Sequence, residues 1–156
     1  MKKCLWGSAV ILLVQACAAR QIPGTTIEDT RETRSILAVM ETFRTAVEGR
    51  DTDRLLSLVS PSFRDNSGTA TPDDDLDYAQ LKDALPKNFE KLSDVRLEMT
   101  VRKIEFLPAE KAARAVYTYN SSFRMPGLTA RPHRDSEIKE MYFVKESGTW
   151  KIVSGI

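Results

Sequence analysis

The second half of this chain constrains its fold more than any other feature. Val95, Leu97, Met99 and Val101 alternate with polar residues, the phase then slips to Ile104 and Phe106, and Ala113, Ala115, Tyr117, Tyr119 and Phe123 alternate again. Successive side chains on a strand point to opposite faces, so the pattern predicts two long strands. The slip predicts a bulge near Arg102 or Lys103. After the loop from Pro126 to His133, Ser136 to Lys145 reads as strand, Ser147-Gly148 as a tight turn and Trp150 to Ser154 as the last strand.

The first half is helical. Ile36, Met40, Phe43 and Val47 fall on one stripe of a helix that starts near Thr30, with Asp29 and Glu32 resembling a capping box and Gly49 a C-terminal cap. Thr52 can cap a short second helix carrying Leu55, Leu56, Leu58 and Val59, which must stop before Pro61. Phe63 to Asn66 reads as a short strand followed by a Gly68 turn. A third helix begins near Asp75 with Tyr78, Leu81, Leu85, Phe89 and Leu92 on one face, and Pro86 should kink or divide it. At 156 residues, 42% of them hydrophobic, the chain suits one domain rather than two. The predicted class is α+β, three N-terminal helices packed on a curved antiparallel sheet.

The N-terminus is of another kind. Lys2 and Lys3 precede a mainly apolar stretch from Leu5 to Ala16, the layout of a secretory signal and too short for a membrane-spanning helix of about 20 residues. It ends in Val14-Gln15-Ala16-Cys17, which resembles the lipobox of bacterial lipoproteins. The resemblance implies cleavage before Cys17, lipidation of its thiol and acylation of the new amino terminus; the alternative is an ordinary secretory signal with an incidental cysteine. Ala18 follows the cysteine where an Asp would imply retention at the inner membrane, so the implied place is the outer membrane, facing the periplasm. The expected organisation is a signal peptide over 1–16, a lipidated tether over 17–29 and a domain over 30–156. Removing Lys2 and Lys3 from the 23 basic residues leaves 21 against 22 acidic ones, a balance in which nothing suggests a nucleic-acid surface. The two cysteines are Cys4 and Cys17, so processing leaves no thiol for nucleophilic or redox chemistry.

The run from Ile36 to Asn66, an amphipathic helix leading into Val47-Glu48-Gly49-Arg50-Asp51-Thr52-Asp53 and then Leu55 to Phe63, resembles the opening of nuclear transport factor 2-like (SnoaL-like) domains. The ending Gly148-Thr149-Trp150-Lys151-Ile152-Val153 is similar to their closing hairpin. The resemblance implies a cone with a pocket at its open end. The family holds steroid isomerases, polyketide cyclases and dehydratases as well as members without activity, and it implies a homodimer through the sheet.

Candidate chemistry is sparse. Asp73, Asp74, Asp75 and Asp77 place carboxylates as in a calcium loop, but Tyr78 and Ala84 stand where Gly and a bidentate Glu are needed, so they read as acidic residues at a helix start. With one histidine and no thiol, no metal site is expected, and nothing calls for a cofactor. His133 is the natural proton-transfer candidate near neutral pH, although Pro132 and two flanking arginines describe a solvated loop. Asp65 is a candidate pocket carboxylate, Tyr78 a candidate phenol beside it, and Tyr119, Tyr142 and Arg124 candidate ligand-binding residues. In the strand from Ile138, residues Ile138, Tyr142 and Val144 share one face and Met141 and Phe143 the other, so both faces are apolar and one is covered by a second copy or by the chain's own loops. Three functions fit: a non-enzymatic module binding a small apolar ligand or a protein, favoured because no catalytic motif is present; an isomerase or dehydratase using Asp65 or His133 with a tyrosine donor; and a structural subunit of an envelope complex.

Overall fold

The computed structural model of the chain describes residues 20–66, 75–107, 111–127 and 131–156. Three helices, α1 (Arg31–Gly49), α2 (Thr52–Leu58) and α3 (Tyr78–Glu90), precede a four-stranded sheet; two short strands, β1 (Arg64–Asp65) and β2 (Leu76–Asp77), pair with each other between α2 and α3. The sheet runs in chain order, β3 (Ser93–Leu107), β4 (Ala112–Arg124), β5 (His133–Glu146) and β6 (Thr149–Ser154), all antiparallel. This is the α+β arrangement that the alternation predicted. Cys17, Gly68, Asp73 and Asp74 lie outside the described residues.

Register decides which side chains meet. Across β4 and β5, Ala113 stands opposite Phe143, Ala115 opposite Met141, Tyr117 opposite Lys139 and Tyr119 opposite Glu137. Directly opposed residues share a face. Ala113, Ala115, Tyr117, Met141 and Phe143 are at most 1% exposed, so this is the face on the core. The expected bulge falls between Val101 and Lys103, and it returns Ile104 and Phe106 to the face of Val101, opposite Ala115 and Ala113. Ile138 and Tyr142, 61% and 37% exposed, stand on the outer face. Helix α1 covers the inner face with Ile36, Met40, Phe43 and Ala46, the stripe that the sequence spacing predicted, with Ala46 buried in place of the half-buried Val47.

The helix ends differ from expectation, each for a local reason. Thr30, not Asp29, caps α1, accepting from the Thr33 N–H at 3.0 Å, while Asp29 takes two hydrogen bonds from the Arg34 guanidinium at 2.5 and 2.8 Å. Glu32 leaves the cap and reaches the sheet, accepting from Lys145 Nζ at 2.6 Å and Trp150 Nε1 at 2.7 Å. At the other end Arg50, not Gly49, adopts the left-handed conformation (φ 53°), fixed there as its guanidinium donates to the Leu92 carbonyl at 2.7 Å. Asp51 rather than Thr52 caps α2. Asp77 and Gln80 form a full capping box, so α3 starts at Tyr78 rather than near Asp75. Helix α3 runs on through Pro86, whose ring and the Lys82 carbonyl it deprives of a donor lie on the solvent side.

The stretch expected to be a tether is folded from Arg20 onward. Gln21 and Glu28 form an antiparallel bridge, the Thr25 hydroxyl bonds the Ile22 carbonyl and the Ile27 N–H, and Ile27 is 6% exposed. These side chain to backbone bonds turn a segment with no periodicity into a closed loop. Strand β5 likewise begins at His133 rather than Ser136. Among the described residues the main buried cluster runs from Ile36 to Ile152, within the chain from Arg20. Among the described residues no helix is long and apolar enough to cross a membrane.

The Glu32 bonds tie the first turn of α1 to β5 and β6. Hydrogen bonds from Lys145 first, then Trp150, hold its carboxyl below the ordinary value of 4.5. A carboxyl with a lowered folded-state pKa stabilises the fold above its unfolded value and loses that contribution as pH falls through the folded one. Glu32→Gln should therefore lower the melting temperature at pH 7, and the gap to wild type should narrow as pH drops below 4.5. A gap that stays constant from pH 7 to pH 3 would show that the carboxylate charge is not what joins the helix to the sheet.

Candidate functional site

Where the helices and the inner face of the sheet diverge, they enclose a cavity of about 230 Å³. Helix α1 contributes Phe43 and Val47, α2 Leu55, β2 Leu76, and α3 Leu81, Leu85 and Phe89; the sheet contributes Leu97, Tyr117, Tyr119 and Lys139, and Ile156 closes it. Pockets for drug-sized ligands run from about 300 Å³ upward, so this one suits a smaller molecule. The amphipathic pattern of α3 explains its wall: Leu81, Leu85 and Phe89 recur at four-residue steps along one stripe.

Ile156 is held at the wall by Asp65. One Asp65 carboxylate oxygen accepts from the Gly155 N–H at 2.8 Å and the Ile156 N–H at 3.2 Å. The Gly155 carbonyl in turn accepts from the Tyr117 hydroxyl at 3.2 Å. Gly155 is required on two counts: its φ is +87°, and a Cβ there would sit 1.9 Å from the Glu140 carbonyl oxygen.

Three polar side chains of the sheet govern the cavity's chemistry. Burial pushes the Tyr117 phenol well above its ordinary value of 10, so it stays protonated and committed to Gly155. Tyr119 makes no hydrogen bond through its hydroxyl among the described residues. Lys139 places its ammonium 4.6 Å from the Tyr119 ring centroid, within cation–π range, and 3.8 Å from a Glu137 oxygen. No side chain of the described lining is a carboxylate or an imidazole.

The residues singled out in the sequence scatter. Tyr119 lines the cavity, and Asp65 stands behind it as a backbone clamp rather than in it. Tyr78 opens α3, half-buried against the core and outside the cavity lining. His133 is exposed at the start of β5, its ring 4.8 Å from that of Phe123, and does not line the cavity. Arg124 ends β4 in an exposed ion pair with Asp94 at 3.2 Å. Tyr142 projects from the outer face, donating to Glu140 at 2.5 Å beside Arg114, which also pairs with Glu105. Strand parity is the reason: Tyr142 is one residue out of phase with Lys139, Met141 and Phe143. Sequence reasoning missed Lys139 and Glu137, and the signal was that phase. A surface recess at the start of α1 holds Arg20, Arg31 and Arg34, of which Arg20 and Arg34 are paired with Asp29. No group of three or more metal-ligating side chains is assembled among the described residues.

No protein-family model and no curated protein sequence matches the chain. Solved structures match it in shape. A conserved protein from Planctomyces limnophilus superposes with a TM-score of 0.68 at 14% identity, over 80% of this chain and 92% of that one. A protein from Streptomyces avermitilis, provisionally assigned as a dehydratase of the nuclear transport factor 2-like family, gives 0.65 at 13% identity, over 80% and 93%. A ketosteroid isomerase-like protein from Erwinia carotovora atroseptica gives 0.66 at 12% identity, over 81% and 95%. The fold is therefore the nuclear transport factor 2-like cone that the helix and hairpin motifs implied, and likeness at such identities shows the fold alone.

Gly155→Ala tests how the cavity is closed. Left-handed strain and the overlap with Glu140 should together destabilise the domain by about 3 kcal/mol or more in chemical denaturation. A loss under about 1 kcal/mol would mean that residues 155–156 can detach from Asp65 without consequence for the fold.

Proposed function

We propose that this chain is a non-enzymatic binding module that holds a small apolar molecule in the cavity between α3 and the sheet. The observation that carries the reading is the composition of the wall: mostly apolar, with hydroxyl and ammonium donors and no carboxylate or imidazole side chain among the described lining. General acid–base catalysis needs a group within hydrogen-bond reach that can take a proton from the substrate. Less in favour of the enzyme alternative is that Asp65 accepts from two backbone N–H groups and His133 is exposed on β5, neither being in the described lining. The dehydratase and isomerase names of the structural neighbours favour the enzyme alternative only through the shared fold, and fold does not carry activity.

The membrane anchor is part of the same reading. Lys2, Lys3, the apolar stretch to Ala16 and the box ending in Cys17 support a lipid-anchored envelope protein, held by acyl chains that contribute about 0.8 kcal/mol per buried methylene. Because the chain is folded from Arg20, a lipid on Cys17 keeps the domain within about 10 Å of the membrane face, where a twelve-residue tether would allow about 40 Å.

Two measurements check these readings. Octanol titrated by calorimetry into the chain from Arg20 should bind, and Val47→Phe, which fills the cavity from α1, should weaken it at least tenfold while the melting temperature moves by only a few degrees. Equal binding to both proteins would place the site elsewhere. Cys17→Ser should abolish palmitate labelling and detergent partitioning of the full chain in a bacterial host, and undiminished labelling would overturn the anchor.

A further inference from the structure

We infer that the molecule this cavity takes is a monocarboxylate, its apolar body against Leu81, Leu85 and Phe89 and its carboxylate at Tyr119 and Lys139. The inference deepens the binding-module reading and rests on it. Of the polar groups in the described lining, Tyr117 is spent on the Gly155 carbonyl. That leaves the Tyr119 hydroxyl, which donates or accepts, and the Lys139 ammonium, which only donates. A phenol donates one hydrogen and an ammonium three; the Lys139 charge repels a cationic amine, and a hydrocarbon uses neither group. A carboxylate, which only accepts, complements both.

The surroundings of Lys139 sharpen the match. Its nearest anion, Glu137, is 3.8 Å away, beyond hydrogen-bond distance, and stands on the same inner face opposite Tyr119. The Lys139 side chain is 32% exposed, so its charge is partly desolvated yet lacks a hydrogen-bonded counter-ion among the described residues. An incoming carboxylate supplies one. The Glu137 charge beside the same ammonium disfavours a second negative charge on the ligand, which selects one carboxylate over two. The wall of α3 offers only leucine and phenylalanine to the rest of the molecule.

Calorimetry on the chain from Arg20, which contains the main buried cluster of the described residues, separates this inference from the reading beneath it. The probes are octanoate, octanol and octylamine at pH 7, with Lys139→Gln and Glu137→Gln as variants whose folding is checked by thermal melts. Octanoate should bind several-fold more tightly than octanol, and octylamine more weakly than either. Lys139→Gln should cost octanoate about fivefold, the scale of a partly exposed ion pair, and leave octanol unchanged. Glu137→Gln should tighten octanoate by about twofold, because it removes the competing charge. Octanoate no tighter than octanol in wild type, or a Lys139→Gln loss shared equally by both, would overturn the carboxylate assignment while the cavity remained a binding site. Failure of both octanol and octanoate to bind would overturn the cavity reading and this inference with it. Should Lys139→Gln fail to fold, the wild-type comparison and Glu137→Gln still decide.

Discussion

A four-stranded antiparallel sheet with one apolar face must bury that face, and here the cover is a layer of helices rather than a second sheet. Along β4 the inward residues change from Ala113 and Ala115 to Tyr117 and Tyr119, and this gradient sets the interior. At the alanine end Phe106, Phe143 and Met141 fill the space that the small side chains leave, with Trp150 tilted against Phe106 at 5.9 Å between ring centroids. Glu32 fastens α1 to this end through Lys145 and Trp150. At the tyrosine end the helices do not fill the space, and the cavity is what remains. The bulge after Val101 lets one strand serve both ends, keeping Ile104 and Phe106 inward after the alternation slips.

The second dependence runs from Asp65 through Gly155 to Tyr117. A carboxylate near the open end of the cone was the obvious base in the sequence, and structurally it is a clamp that satisfies two backbone donors. That use is demanding in its own way, since buried backbone N–H groups need acceptors. It also fixes Ile156 in the wall and, through Gly155, ties the Tyr117 phenol. One acidic residue therefore shapes the cavity without entering it, and Tyr119 and Lys139 are the other polar side chains of the described lining.

Much of the fold was legible because alternation and helical stripes are local properties. Val95 to Val101, the slip before Ile104, and Ile36 to Phe43 read out their own faces. The caps were misread where a distant partner decides: Glu32 forsakes its own helix for Trp150, and Arg50 holds a left-handed cap because its side chain reaches Leu92. The folded loop from Arg20 to Asp29 has no periodicity to read, since Thr25 builds it through single hydrogen bonds. The site was half legible. Tyr119 shares the phase of Ala115 and Tyr117, but β5 is apolar on both faces, so its inward set of Glu137, Lys139, Met141 and Phe143 needs the register with β4. His133 drew attention by being the only histidine, which is a property of composition and says nothing about position.

Binding and catalysis differ here in one requirement. An enzyme on this scaffold would need an acceptor for a substrate proton, held in a site where its protonation state is tuned by burial or a neighbouring charge. The described wall instead presents donors, and its strongest perturbation, on Tyr117, moves the phenol away from ionisation at neutral pH. Glu137, the acidic residue nearest Lys139, lies outside the lining. On the reading proposed above, a wall of this kind suits an anion held in place rather than a proton removed.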